Sequence, residues 1–80
     1  MTMRWLPDVQ QVMSTVMSIP PECLRSETVP NQVPAWDSLS HLTLIVTLEE
    51  RFGVCFSLTE IERMTSVGEI CAILAERLDH

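Results

Sequence analysis

Ser38 and His41 are the two residues whose types and spacing come nearest to a nucleophile and its base. They lie three positions apart, so on one helix their side chains would share a face and could meet. A serine hydrolase also needs a third group that orients the imidazole, and donors that stabilise an oxyanion. The neighbouring sequence offers no obvious candidate for either role. We therefore predict that the chain is not an enzyme.

The potential metal ligands are too scattered to predict a metal site. His41, His80, Cys23, Cys55 and Cys71 form no C-x-x-C pair and no zinc-ligand spacing. An odd number of widely spaced cysteines is also atypical of a small secreted disulfide scaffold. We expect three reduced thiols that pack as small apolar side chains.

Asp37 and Ser38 stand where a proline-rich segment gives way to a strongly apolar one, which predicts a helix N-terminus. A serine at that point has an exposed hydroxyl and free backbone N–H groups around it. A negatively charged group placed there would gain from the helix dipole and from those donors. Asp37 is available to cap the helix in place of Ser38. Taken alone, the pair is more typical of an ordinary N-cap.

The first helix that would support this site is predicted from Asp8 to Ile19, where apolar residues recur at helical spacing. Asp8 can cap its start, and Gln11, three residues later, can complete a capping box with it. Pro20-Pro21 end it abruptly.

A long loop is predicted between this helix and Ser38. Residues 20–36 hold four of the five prolines and show no periodicity. We expect Leu24 and Val29 to attach the loop to the core. Loops of this length inside a compact domain are often functional, although a bundle with non-adjacent helices also needs such a connection.

The second helix is predicted to begin at Asp37 or Ser38 and to run to Phe52, with Gly53 at its C-cap. Its apolar positions advance in steps of three and four: Leu39, Leu42, Ile45, Leu48 and Phe52. The last four are expected to be buried against Val12, Val16, Ile70 and Leu74. Leu44 and Val46 lie off this stripe, so the helix is either central to the bundle or meets a partner on a second face.

Two capping boxes predict two further helices. Ser57 with Glu60 opens a short helix, and Ser66 with Glu69 opens a last one. The inward residues of the last helix are expected to be Val67, Ile70, Cys71, Leu74 and Leu78. Because no alternating strand pattern occurs, we predict an all-α bundle of three main helices and one short helix, forming a single domain over residues 1–80.

The charge balance limits the classes of partner that the chain can bind. Five arginines and no lysine face 11 acidic residues, for a net charge of −6. This balance repels nucleic acid and anionic membranes and favours basic protein surfaces. The N-terminus lacks the apolar stretch of a signal peptide, and no apolar run reaches membrane-spanning length. We expect a cytoplasmic monomer.

Three segments together resemble the acyl carrier protein family. Residues 37–39, Asp-Ser-Leu, match its attachment motif. Residues 42–54 are similar to its second helix and the exit from it, and residues 65–67 are similar to the entry into its last helix. The similarity spans essentially the whole chain, including the long first loop, and implies a four-helix carrier fold.

The resemblance implies that Ser38 receives 4′-phosphopantetheine from coenzyme A, transferred by a separate magnesium-dependent phosphopantetheinyl transferase. The thiol of this arm would hold acyl groups as thioesters. The implied partners are that transferase and acyl-loading, condensing or tailoring enzymes with basic docking patches.

Partners are expected to dock on the second helix beside the arm. Leu39 and Val46 would supply apolar contacts, with Glu49 and Glu60 as flanking charges. The competing interpretation is that both apolar residues are ordinary core and both acids are merely solvated.

Some residues depart from fatty-acid carriers. Trp36 stands where those carriers usually have a small residue, and Ser40, His41 and Thr43 occupy a stretch where they tend to place acids. The chain looks more like a discrete carrier of polyketide or mixed secondary-metabolite pathways, standing alone rather than excised. Trp36 is equally consistent with a loop anchor at the edge of the core.

Two alternatives stay open. Peptidyl or aminoacyl carriers more often show glycine and histidine before the serine, whereas this chain has Ala35-Trp36-Asp37. A helical protein-interaction module without an arm would use Ser38 only as a cap.

Overall fold

The computed structural model describes residues 4–78. Its α-helices are α1 (Leu6–Met17), α2 (Ser38–Phe52), α3 (Leu58–Glu62) and α4 (Val67–Leu78). Two single-turn 3-10 helices, Pro21–Cys23 and Pro30–Gln32, lie in the connection from α1 to α2. Residues 4–78 contain no strand. The predicted all-α architecture of three main helices and one short helix is confirmed.

Helix α1 begins earlier than the sequence predicted. Pro7 lies in its first turn, where the fixed φ of proline suits a helix and its missing N–H is not needed. Asp8 therefore lies inside the first turn, and its predicted role as the cap is wrong. Its carboxylate lies 3.6 Å from the guanidinium of Arg51 on α2. The helix ends at Met17, because Ser18 adopts the left-handed conformation with φ 57°.

The buried face of α2 is rotated relative to the predicted stripe. Leu44, Ile45 and Leu48 are buried. Burial was predicted for Ile45 and Leu48 but not for Leu44. Leu42 was predicted to be buried and is 59% exposed, so that prediction is wrong. Steps of three and four fit two adjacent faces of an apolar helix equally well, and packing against α1 selects the face that contains Leu44.

The other predicted core positions are mostly confirmed. Val12, Ile70 and Leu74 are buried, and Val16 is partly buried. Phe52 is also only partly buried, and its ring meets Trp5 edge to face with centroids 5.6 Å apart. Gly53 ends α2 in the left-handed conformation, with φ 64°, as predicted.

The loop between α1 and α2 is attached to α4 through its backbone. Leu24 is fully buried, as predicted, whereas Val29 is only partly buried. The Val67 N–H donates to the carbonyl of Thr28 at 3.0 Å. One residue further on, Gly68 donates to the carbonyl of Ser26 at 2.7 Å.

Charged side chains join α3 to α4. Ser57 and Glu60 form the predicted capping box. The Glu60 carboxylate also accepts two hydrogen bonds from the Arg77 guanidinium, at 2.7 and 2.8 Å. These bonds lower the pKa of Glu60 from its ordinary value of 4.5 to about 2. Arg63 and Glu76 form a second bridge at 3.1 Å.

The three cysteines differ in their surroundings. Cys71 is buried, and burial raises the pKa of its thiol to about 11. Cys23 and Cys55 are exposed, so the prediction that all three thiols pack as apolar side chains is correct for Cys71 alone.

Neither a cluster of metal ligands nor a membrane-spanning helix occurs in the described part of the chain. Across residues 4–78, no three His, Cys, Asp or Glu side chains come together as metal ligands would. His80, which the sequence offered as a ligand, lies outside this range. None of the helices within the same range is long and apolar enough to cross a membrane.

Candidate functional site

Ser38 is the first residue of α2 and its side chain is exposed. The residue before it, Asp37, has extended backbone and is the N-cap, accepting a hydrogen bond from the Ser40 N–H at 2.9 Å. That backbone donor is the leading cause that lowers the pKa of the Asp37 carboxyl. Since Asp37 supplies the cap, the Ser38 hydroxyl is free for a covalent modification that leaves the helix start intact.

His41 is engaged by Trp36 rather than by Ser38. The Trp36 Nε1–H donates to His41 Nδ1 at 3.0 Å, and the two ring planes lie 26° from parallel. Burial lowers the pKa of His41, and a hydrogen bond to the Ile61 carbonyl opposes this effect. With Nδ1 committed to the indole, His41 is poorly placed to act as a base for Ser38.

An open cavity of about 550 Å³ adjoins Ser38. It lies between the end of the loop, the first turn of α2 and the connection from α3 to α4. Its lining residues are Pro30, Trp36, Asp37, Ser38, His41, Met64 and Thr65. Sequence reasoning missed Pro30, Met64 and Thr65, because their approach to Ser38 depends on tertiary packing and leaves no local pattern.

Trp36 is a wall of this cavity and also part of the core. It is only 4% exposed, and its backbone N–H donates to the Val33 carbonyl at 2.9 Å. The interpretation of Trp36 as a loop anchor at the core edge is therefore confirmed.

An exposed apolar stripe runs along α2 from the position after Ser38. Leu39 is 75% exposed and Val46 is 52% exposed, which fits the docking interpretation rather than the competing one that both are ordinary core. Leu42, which the sequence assigned to the core, lies between them on the same side of the helix. We call Leu39, Leu42 and Val46 the α2 stripe.

The two acids expected to flank this surface are held by internal bonds. The Glu49 carboxylate accepts a hydrogen bond from the Phe56 N–H at 2.9 Å. Glu60 is bonded to Arg77 and to the Ser57 N–H. Both carboxylates therefore have structural roles, and the Arg77 charge offsets that of Glu60. Sequence reasoning missed the Arg77 contact because it joins residues 17 positions apart.

Comparisons of sequence and of structure with known proteins point to the same family. A scan against models of protein families finds no match. An acyl carrier protein of Campylobacter curvus (strain 525.92) is 32% identical over 63 residues, covering 79% of this chain and 82% of that protein. The solution structure of a holo acyl carrier protein from Geobacter metallireducens superposes with a TM-score of 0.80 at 34% identity, covering 94% of this chain and 91% of that one. By fold and by sequence, the chain belongs to the acyl carrier protein family.

Proposed function

We propose that the protein tethers acyl intermediates as thioesters on a 4′-phosphopantetheine arm attached to Ser38 and delivers them to partner biosynthetic enzymes. Members of its family are carriers and not enzymes. The observation that carries the proposal is an exposed serine at the first position of α2, next to an aspartate that caps the helix in its place.

The surroundings of Ser38 suit a phosphodiester. The first turn of α2 contains no acidic residue, and the carboxylate of the preceding Asp37 is engaged by the Ser40 N–H. A negative charge on Ser38 would lie at the positive end of the helix dipole. The backbone N–H groups of Ser38 and Leu39 point out of the same turn, since the first N–H groups of a helix have no intrahelical partner. The arm, when bound, supplies a thiol that forms the thioester with the cargo.

The test is transfer of one arm by intact mass. The protein is incubated with coenzyme A, magnesium and a broad-specificity phosphopantetheinyl transferase, and one addition is expected. Ser38→Ala should abolish it, whereas Ser40→Ala, which changes a serine two residues further into the same turn, should retain it. Labelling that persists in Ser38→Ala would contradict this attachment site. A wild-type protein that is never labelled by several transferases would favour an interaction module without an arm.

Partner enzymes are proposed to dock on α2 beside the arm. Leu39 and Val46 supply apolar contacts, and Leu42 joins them because it is exposed on the same side. Glu49 and Glu60 flank this surface, but the hydrogen bond to Phe56 and the bridge to Arg77 limit the charge that they present. Apolar contact is thus expected to contribute more than charge attraction to a basic patch.

We further propose a discrete carrier role in a polyketide or mixed pathway. Residues 38–48 contain no acidic side chain. Electrostatic attraction to partners that bind an acidic second helix is therefore weakened. The test loads the arm with an acyl group and offers the carrier to condensing enzymes of fatty-acid and polyketide systems. Faster condensation with the fatty-acid enzymes would overturn the proposal, and loading by an adenylating enzyme would favour a peptidyl or aminoacyl carrier.

A further inference from the structure

Trp36 and His41 bracket Ser38 along the chain. Trp36 lies two residues before it and His41 three residues after it. Their side chains meet through the Nε1–H to Nδ1 hydrogen bond of 3.0 Å, with the ring centroids 6.1 Å apart. The carrier role proposed above uses neither side chain.

The hydrogen bond between them depends on the protonation state of His41. A neutral imidazole has one nitrogen that accepts and one that donates, whereas both nitrogens donate in the imidazolium. Nδ1 accepts from Trp36 only while it carries no proton. A proton added there would place two N–H groups against each other.

We propose that neutral His41 is a positioning residue for Ser38: it holds Trp36, and with it the end of the loop, against the first turn of α2, and it releases Trp36 when protonated. Both side chains line the cavity next to Ser38. The His41 backbone N–H also donates to the Asp37 carbonyl at 2.9 Å, which is the first helical bond of α2. Release of the indole therefore frees the segment that immediately precedes the attachment residue.

The charged groups on the elements around His41 are mostly committed elsewhere. Asp37, the N-cap of the helix that holds His41, is bonded to Ser40. On the side of α3, Glu60 pairs with Arg77 and Arg63 pairs with Glu76. Glu62 is exposed.

The direction of the pH effect follows from burial. Because burial lowers the pKa of His41 below its ordinary value of 6.5, the bond is intact at neutral pH. It is lost as the pH falls through the lowered value.

The first test follows the two indole N–H signals by NMR while the pH is lowered from neutral. The Trp36 signal should shift with one titration below about pH 6.5. The Trp5 signal is the internal control, because Trp5 packs on Phe52 elsewhere, and it should not follow that titration. In His41→Gln, whose amide oxygen accepts at any pH, the Trp36 titration should disappear. A Trp36 signal that ignores pH in the wild type, or moves equally in His41→Gln, would overturn the proposal.

The second test rests on the proposed function and measures positioning. The rate of arm transfer to the wild type is divided by the rate for His41→Gln at each pH, so the pH profile of the transferase cancels. The ratio should be constant near neutral pH and fall about fivefold below the His41 transition, as expected for the loss of one hydrogen bond. Trp36→Phe, which keeps a ring without the donor, should be slow at every pH.

The outcomes separate the two proposals. A flat ratio alongside a titrating Trp36 signal would overturn the positioning role. Absence of any transfer to Ser38, with Trp36 still titrating, would instead overturn the arm itself while leaving the pH-dependent contact in place.

Discussion

Gly68 donates its backbone N–H to the carbonyl of Ser26 over 2.7 Å and thereby joins the middle of the long loop to the first turn of α4. The Val67 N–H donates to the carbonyl of Thr28 at 3.0 Å and forms a second link between the loop and α4. The first N–H groups of a helix lack partners within it, and here loop carbonyls satisfy two of them. The connection from α1 to α2 is therefore an integral part of the bundle, and its last residues also form the wall beside Ser38.

Gly68→Ala should destabilise the protein, although alanine normally favours a helix by about 1 kcal/mol over glycine. A Cβ at position 68 would lie 2.8 Å from the Ser26 carbonyl oxygen. Either the loop or α4 must shift, at a cost of about 1–3 kcal/mol for such overpacking. Urea denaturation measures the change, with Ala72→Gly, on an exposed position of the same helix, as the control for helix propensity. A Gly68→Ala protein more stable than the wild type would show that the loop at Ser26 can move away from the added Cβ at little cost.

Leu44→Ala and Leu42→Ala form a matched pair that tests the buried face of α2. Leu44 is fully buried, so its truncation should cost about 2–5 kcal/mol. Leu42 is largely exposed, so the same change should alter the free energy of unfolding by no more than about 0.5 kcal/mol. Chemical denaturation of both variants measures these changes. A larger loss of stability in Leu42→Ala than in Leu44→Ala would favour the buried face predicted from the sequence.

The bridge between Glu60 and Arg77 predicts a specific acid sensitivity. The pKa of Glu60 is lowered to about 2 in the folded protein, so its contribution to stability is complete above its ordinary value of 4.5. That contribution is lost as the pH falls from there toward about 2. Glu60→Gln keeps an acceptor for the Ser57 N–H but loses the charge, so its stability should depend less on pH in this window.

The control for this prediction is Glu62→Gln, which removes an exposed carboxylate from the same helix. Free energies of unfolding from urea titrations are compared at several pH values for all three proteins. If Glu60→Gln and the wild type lose stability in parallel, the bridge does not contribute to acid sensitivity.

The α2 stripe predicts variants that fold normally and function poorly. Leu39→Ala and Val46→Ala remove exposed side chains, so their melting temperatures should stay close to that of the wild type. If these side chains contact the transferase, kcat/KM for arm transfer should fall about tenfold for each. Leu58→Ala removes an equally exposed leucine from α3 and serves as the comparison. Melting temperatures that fall together with the transfer rate would assign these residues to the fold instead.

Glu49→Lys makes a contrasting prediction on the same helix. Loss of the acceptor for the Phe56 N–H should lower stability by about 1–3 kcal/mol, the cost of leaving a partly buried donor unpaired. Thermal melting detects this directly. A Glu49→Lys protein that melts normally but is slow in arm transfer would show that Glu49 acts as a docking charge.

Local signals in the sequence were sufficient for the helix starts of α2, α3 and α4. Asp37, Ser57 and Ser66 each accept a hydrogen bond from an N–H within the following turn, and that pattern depends on neighbours three residues apart. The α1 start was wrong because two signals competed. Asp8 is a good cap, but Pro7 just before it is a good first-turn residue, and only packing decides between them.

Burial within α2 and the contacts of Ser38 could not be derived in the same way. The sequence of a helix that is apolar on two faces gives no reason to bury Leu44 rather than Leu42 until α1 is packed against it. The meeting of Trp36 with His41, and of Glu60 with Arg77, likewise depends on how helices and loop pack. The cap at Asp37 depends only on its immediate neighbours, whereas the resemblance of residues 37–39 to an attachment motif was persuasive only together with the helix order and spacing of the whole chain.

Cys71 has a practical consequence for loading the carrier. With a pKa of about 11, about one molecule in ten thousand carries its thiolate at neutral pH, so Cys71 cannot compete for a thioester cargo or a maleimide. Cys23 and Cys55 are exposed and are accessible to the same reagents. A thiol-directed probe intended for the arm will therefore report on the arm alone only in a protein in which those two cysteines have been replaced by serine.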